Sequence, residues 1–134
     1  MVQSQQTVLF VLTSTKTMGA GGKPTGAWLE EFTVPYYAIR DAGFMADIAT
    51  TAGGAAPFDP RSTEGGAAEV RENSRFRTDP EAQAAIQTTP SVEQVRFDDY
   101  AAIFLPGGHG TMWDFPNSAA LAAGSAISLP PASR

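Results

Sequence analysis

The sequence predicts an α/β fold built on a parallel sheet, and three observations carry that prediction. "TVLFVLT" (residues 7–13) is a continuous apolar run rich in β-branched and aromatic residues, the pattern of a strand buried on both faces inside a parallel sheet. Trp28, Phe32, Tyr36 and Ile39 follow at intervals of four, four and three, which is one apolar stripe along a helix. "FMADIAT" (residues 44–50) then reads as a second strand. Strand, helix and strand within about 45 residues make a βαβ unit, whose two strands run parallel.

The elements follow in order. Residues 14–25, "STKTMGAGGKPT", form a polar, Gly-rich loop between the first strand and the helix. Pro35 sits inside the helical pattern and is expected to kink or interrupt it. Gly43 is the expected stop. Residues 51–77 mix Gly, Ala, Pro and charge with little periodicity, and read as a long excursion with one short helix. "TDPEAQAAI" (residues 78–86) opens a helix, with Thr78 or Asp79 as N-cap and Pro80 in its first turn. "FDDY" leads into a third strand, "AAIFL" (residues 101–105), with Asp98 and Asp99 as its solvated entrance. So buried a strand wants neighbours on both sides, yet only three strong strands are legible, where four to six are usual. The last stretch begins like a helix at Asn117 or Ser118 and dissolves into Gly, Ser and a Pro pair.

Composition narrows the function classes. The chain has 134 residues, which suits one domain, and 43% are apolar, enough for a small core. A net charge of −5 with scattered basic residues argues against a nucleic-acid or anionic-membrane partner, which would need clustered Lys and Arg. No cysteine is present, which excludes a disulfide, a thiolate metal site and a thiol nucleophile within these residues. With a single His, a multi-His zinc site is excluded as well. No apolar run approaches the roughly 20 residues of a membrane span, and the start lacks the marks of a signal peptide. The cytoplasm is the expected compartment.

The strongest chemical signal is "LPGGHG" (residues 105–110). A strand that empties into Gly107 and Gly108 can turn its backbone N–H groups outward with no Cβ in the way. Such groups form an anion-binding concavity, or an oxyanion hole where a carbonyl is attacked. In an open parallel sheet, ligands sit beyond the carboxyl ends of the strands, where this turn lies. The plainer alternative is a tight turn with no ligand. His109 lacks a Cys or Ser partner at a recognisable spacing, and a structural hydrogen-bonding role is preferred for it. Glu30 and Glu31 open the first helix, where the helix dipole favours a carboxylate. Neighbours on a helix point about 100° apart, so only one can face the sheet edge. Glu31, one residue before Phe32, is expected to approach the buried face and be partly desolvated there, which would raise its pKa and suit proton shuttling. Two nucleotide motifs fail. "GAGGKP" has Thr17 where a P-loop needs its first Gly and Pro24 where it needs Ser or Thr, and Pro24 also displaces the last Gly of G-x-G-x-x-G.

"VLFVLTS", "KPTGAWLEEF", "AGFMADIAT" and "DDYAAIFLPGGHGTMWDFP" resemble, in order and spacing, the N-terminal part of the DJ-1/PfpI superfamily of class I glutamine amidotransferase-like proteins, in its glyoxalase III and Hsp31-type branch. The resemblance covers Val8 to about Ala122, with residues 123–134 as a tail outside the family pattern and expected to be disordered. It implies a flavodoxin-like parallel sheet flanked by helices, here about half of the family domain. It implies conversion of 2-oxoaldehydes such as methylglyoxal to hydroxy acids such as D-lactate, with no external cofactor and no metal, through a cysteine nucleophile and a glutamate that shuttles protons. Protein deglycase and chaperone activities are also attributed to such proteins. By the match of "TGAWLEE" the glutamate is Glu31. The resemblance further implies that the Gly107–Gly108 turn supplies the oxyanion donor, at Gly108, and that His109 and Asp114 shape the pocket wall. The absent cysteine implies a chain inactive alone, a clipped member of the family. The other readings are a non-catalytic chaperone-like module and a small-ligand binder. Exposed sheet edges imply association of the chain with itself.

Overall fold

Six consecutive branched and aromatic side chains leave a strand no solvent face, and the computed structural model places the first strand accordingly. The structure describes residues 6–17 and 22–106. Strand β1 (Thr7–Leu12) is the centre of a three-stranded parallel sheet, between β2 (Met45–Thr50) and β3 (Ala102–Phe104). The register runs from Thr7 opposite Met45 to Leu12 opposite Thr50 on one side, and from Val8 opposite Ala102 to Phe10 opposite Phe104 on the other. Val8 to Leu12 are all buried, as expected of a strand covered on both faces. The expected α/β class with a parallel sheet is what forms.

Alternation along β1 divides the core in two. Val8, Phe10 and Leu12 point to one face, under helix α1 (Leu29–Asp41). Leu29, Phe32, Thr33, Tyr36 and Tyr37 form its buried stripe. Phe32 and Tyr36 each meet the Phe10 ring edge-on at 5.7 Å, a favoured aromatic geometry. Leu9 and Val11 point to the other face, with Ala49, Val92 and Ile103.

Pro35 does not interrupt α1, contrary to expectation: the helix runs on from Leu29 to Asp41. Proline withdraws one N–H, the one that would bond the Glu31 carbonyl. Phe32 and Tyr36, buried on either side of that gap, hold both halves against Phe10. Gly43 ends the helix as expected, with φ of +101° and its N–H donating to the Arg40 carbonyl at 3.0 Å. Strand β2 starts one residue later than read, which leaves Phe44 and Met45 exposed at its entrance.

The excursion after β2 holds more structure than the one short helix expected. Two 3₁₀ turns, Pro60–Thr63 and Gly65–Glu69, precede α2 (Arg71–Arg77). Helix α3 (Pro80–Gln87) then starts as read: the Asp79 carboxylate accepts from the Glu81 and Ala82 amides. Phe76, Ala82 and Ile86 join the α1 face of the core. The chain then returns to where it left. Thr50 pairs with Ser91 and Gly54 with Thr89, so residues 51–90 close on themselves at the end of β2. The crossover to β3 is therefore only residues 91–100, over the face opposite α1, where Val92, Val95, Phe97 and Tyr100 cover Leu9 and Val11. The two crossovers lead in opposite directions from opposite faces, so they share one hand, as parallel connections do. Asp98 and Asp99 are exposed in a 3₁₀ turn at the β3 entrance, as expected. β3 is less buried than its sequence suggested: Ile103 is buried, while Ala102, Phe104 and Leu105 are partly so.

Candidate active site at the carboxyl edge of the sheet

Three chain segments reach the carboxyl edge: the exit of β1 at Thr13, the exit of β2 at Thr51 and the exit of β3 at Leu105. Helix α1 begins there too, because it returns antiparallel to β1. The first two exits are stitched together by hydroxyls. The Ala52 amide donates to Ser14 Oγ (2.8 Å) and the Ser14 amide to Thr51 Oγ1 (3.2 Å). The Gly53 amide donates to Thr50 Oγ1 (2.8 Å), and Thr89 Oγ1 lies 2.7 Å from the same oxygen and donates to the Gly54 carbonyl (2.6 Å). Thr89 thus spends its proton on Gly54, which makes Thr50 the donor between the two hydroxyls. This edge is a closed polar seam, and its threonines were not singled out by sequence.

Glu31 lies in the first turn of α1, at this edge, but not as expected. Glu30 and Glu31 are both exposed. The buried stripe of α1 uses Leu29, Phe32, Thr33, Tyr36 and Tyr37, and Glu31 falls with Val34 and Ala38 on the opposite side. The described residues therefore do not supply the partial desolvation expected of its carboxylate. The reason is periodicity: a residue adjacent in sequence to a buried one is turned about 100° from it. Gly107, Gly108, His109 and Asp114 lie outside the described residues, as does the 123–134 tail.

The structure fixes how the Glu31 turn relates to the end of β3. Phe32, next to Glu31, packs on Phe10, and Phe10 packs on Phe104 at 5.4 Å. Phe104 is the last residue of β3, three before Gly107. One row of rings across the central strand thus joins the turn that carries Glu31 to the strand that delivers the glycines.

The start of α1 is held from outside the helix. Trp28, at the N-cap position, offers no side-chain cap. Instead Ser62 Oγ, in the first 3₁₀ turn, accepts from the Leu29 amide at 3.0 Å and donates to the Asp59 carbonyl at 2.6 Å. Asp59 is fully buried and ion-paired with half-exposed Arg61, whose Nε and Nη2 reach its two oxygens at 3.0 and 2.7 Å. Pairing with a buried carboxylate, first through its hydrogen bond, holds the Arg61 guanidinium above its usual pKa. Thr25 Oγ1 donates to Asp59 as well (3.3 Å). Backbone bonds from Ala27 to the Pro57 carbonyl and from Asp59 to the Ala27 carbonyl lock the two segments side by side. At Gly26 an added Cβ would sit 2.4 Å from the Pro57 carbonyl oxygen, so only glycine fits. The sequence signal for this clamp is "FDPRS" (residues 58–62), an Asp-Pro turn followed by a serine, inside the stretch whose periodicity announces no element. Among the described residues no group of three or more His, Cys, Asp or Glu is placed to hold a metal ion.

A parallel sheet whose crossovers lie on both faces, with polar loops gathered at the strands' carboxyl ends, defines a doubly wound α/β protein, a class in which ligands sit at that edge. No family model matches the chain. Solved structures do. The rapid encystment protein of 24 kDa from Francisella tularensis superposes with a TM-score of 0.84 at 38% identity, covering 91% of this chain and 53% of that one. Glyoxalase III from Candida albicans superposes with a TM-score of 0.77 at 26% identity, covering 90% of this chain and 51% of that one. In sequence, the protein/nucleic acid deglycase HchA of Pseudomonas aeruginosa is 32% identical over 96 residues, 70% of this chain and 33% of the relative. The chain's homologues are Hsp31-type glyoxalase III and HchA proteins of the DJ-1/PfpI superfamily, the group that the sequence resemblance named. It spans between a third and about half of the length of the relatives it matches.

Proposed function

We propose that this chain carries the proton-shuttling and oxyanion-binding half of a glyoxalase III-like site that acts on 2-oxoaldehydes such as methylglyoxal. Glu31 moves the proton between the carbons of the substrate, and the Gly107–Gly108 turn stabilises the developing oxyanion with backbone N–H groups. His109 and Asp114 form the pocket wall. The observation that carries this reading is the ring row Phe32–Phe10–Phe104, which ties the Glu31 turn to the strand leading into the glycines at one sheet edge. The glyoxalase and deglycase names of the relatives support the substrate class. The 134 residues contain no cysteine, so the thiol nucleophile of such a reaction has to come from other residues.

The purified 134-residue chain, given methylglyoxal, is expected to release no D-lactate; turnover by it would overturn the division of labour. The positive test joins residues 1–106, followed by "GGHGTMWDF", to the part of the Candida albicans glyoxalase III that follows its counterpart of this turn. That chimera is expected to turn over, and Glu31→Gln in it to lower kcat by at least about a hundredfold, the usual contribution of a positioned acid–base group. Unchanged kcat in the Glu31→Gln chimera would remove Glu31 from the reaction.

A further inference from the structure

We infer that Ser62, locked by Asp59, is the positioning residue for Glu31. This rests on the proton-shuttling reading of Glu31 given above. The first turn of a helix has N–H groups without intrahelical partners, and a local side chain at the N-cap ordinarily takes one of them. Here the N-cap is Trp28, which cannot accept. The Leu29 amide is instead held by Ser62 Oγ, 33 residues away, in a buried bond. The Glu31 amide is bonded to the Trp28 carbonyl at 3.1 Å, so Leu29 and Glu31 bracket the turn that aims the Glu31 side chain.

Ser62 is a fixed point rather than a rotor. Its hydroxyl donates to the Asp59 carbonyl while accepting from Leu29, so its proton has one place to go. Asp59 is fixed in turn by Arg61 through both carboxylate oxygens, by Thr25 and by the Arg61 amide. Downstream, Pro35 cannot bond the Glu31 carbonyl, so the helix ladder grips this turn less than it would elsewhere. The turn that bears Glu31 is thus held by the packing of Leu29 and Phe32 on the core and, through its first amide, by the 59–62 segment. A group that moves a proton between neighbouring carbons needs that orientation, because a small misplacement costs rate steeply.

The test reads position, not turnover. In the full 134-residue chain, Ser62→Ala is expected to speed hydrogen exchange of the Leu29 amide at least tenfold. Residual dipolar couplings of the Leu29, Glu30 and Glu31 N–H vectors should leave the orientation shared with residues 36–41. Ser62→Thr, which keeps the hydroxyl, should restore both. A serine that served only general stability would lower the melting temperature and leave the couplings of the native first turn in place, and that outcome overturns the proposal. So does unchanged Leu29 exchange in Ser62→Ala. Because no turnover is measured, a failure of Glu31 in the chimera assay and a failure of Ser62 here are separate results.

Discussion

The two faces of the central strand are covered in different ways. On one, Phe10 lies under α1 and touches Phe32, Tyr36 and Phe104, and α2 and α3 add Phe76, Ala82 and Ile86 to the same core. On the other, Leu9 and Val11 lie under residues 91–100, a crossover with 3₁₀ turns and no α-helix among the described residues. The helical face is tied across elements by buried polar bonds, such as Thr33 Oγ1 to Asn73 Oδ1 at 2.5 Å. The crossover face is tied to β2 by the Thr50–Ser91 bridge and by Tyr100, whose hydroxyl donates to Asp47 at 2.9 Å in an exposed bond. Burial of single residues does not distinguish the faces, since Leu9 and Phe10 are equally buried. The difference lies in how many independent elements would have to move to expose them. Amides on the helical face should therefore exchange near the global unfolding limit, and those of residues 92–100 well below it.

The largest effect that would break this comparison comes from Phe10→Ala. It empties the point where four rings converge and should cost about 3–5 kcal/mol in urea unfolding. A cost below about 1 kcal/mol would mean that the aromatic row does not organise the fold.

Alkali tests both faces at once. Burial is the first cause that raises the pKa of Tyr36, Tyr37 and Tyr100 above the ordinary value, and for the last two hydrogen bonds to Asp79 and Asp47 add to it. A raised folded-state pKa favours the protonated phenol in the folded chain. That stability is complete below about pH 10 and is lost as pH rises through the folded values. Phenolate absorbance should thus appear at higher pH in the folded chain than in urea, and coincident titrations would contradict it.

Acid probes the helical face through Asp79. Burial works against the charge of Asp79, but hydrogen bonds from Tyr37 and the Ala82 amide, the nearby Arg40 charge and the Glu81 amide outweigh it and hold the carboxyl below its usual pKa. Its contribution is present above about pH 4 and is lost as pH falls through the folded value. Asp79→Ala should cost about 1–2 kcal/mol at neutral pH and flatten the acid limb of the stability curve. Tyr100→Phe should cost roughly 0.5–1.5 kcal/mol and speed exchange on the crossover face only. The smallest effect is expected at Arg75. It pairs with Asp41 at 2.9 Å and stacks 4.1 Å from the Tyr37 ring centroid, but at the surface, so Arg75→Ala should cost less than about 1 kcal/mol.

Much of the fold was legible because its signals are local. The uninterrupted run before Thr13, the stripe Phe32–Tyr36 and the Asp79-Pro80 start each specify an element from a few adjacent residues. The excursion was less legible because its order comes from distant partners: Asn73 is buried by bonding Thr33 and the Ala67 carbonyl, which no periodicity announces. The site divides the same way. The acidic first turn and the glycine exit were readable as residue types. The direction of Glu31 is not legible from its neighbour, because a residue beside buried Phe32 is turned about 100° away from it on the helix. The serine that caps Leu29 was missed because it lies 33 residues away.

That separation has a consequence in time. During synthesis, residues 28–41 are made before Ser62 exists. At the usual 5–20 residues per second, the cap follows Leu29 by roughly 2–7 s. Until then the beginning of α1 has no side chain to close it, so its final shape is set by a segment the ribosome has yet to deliver.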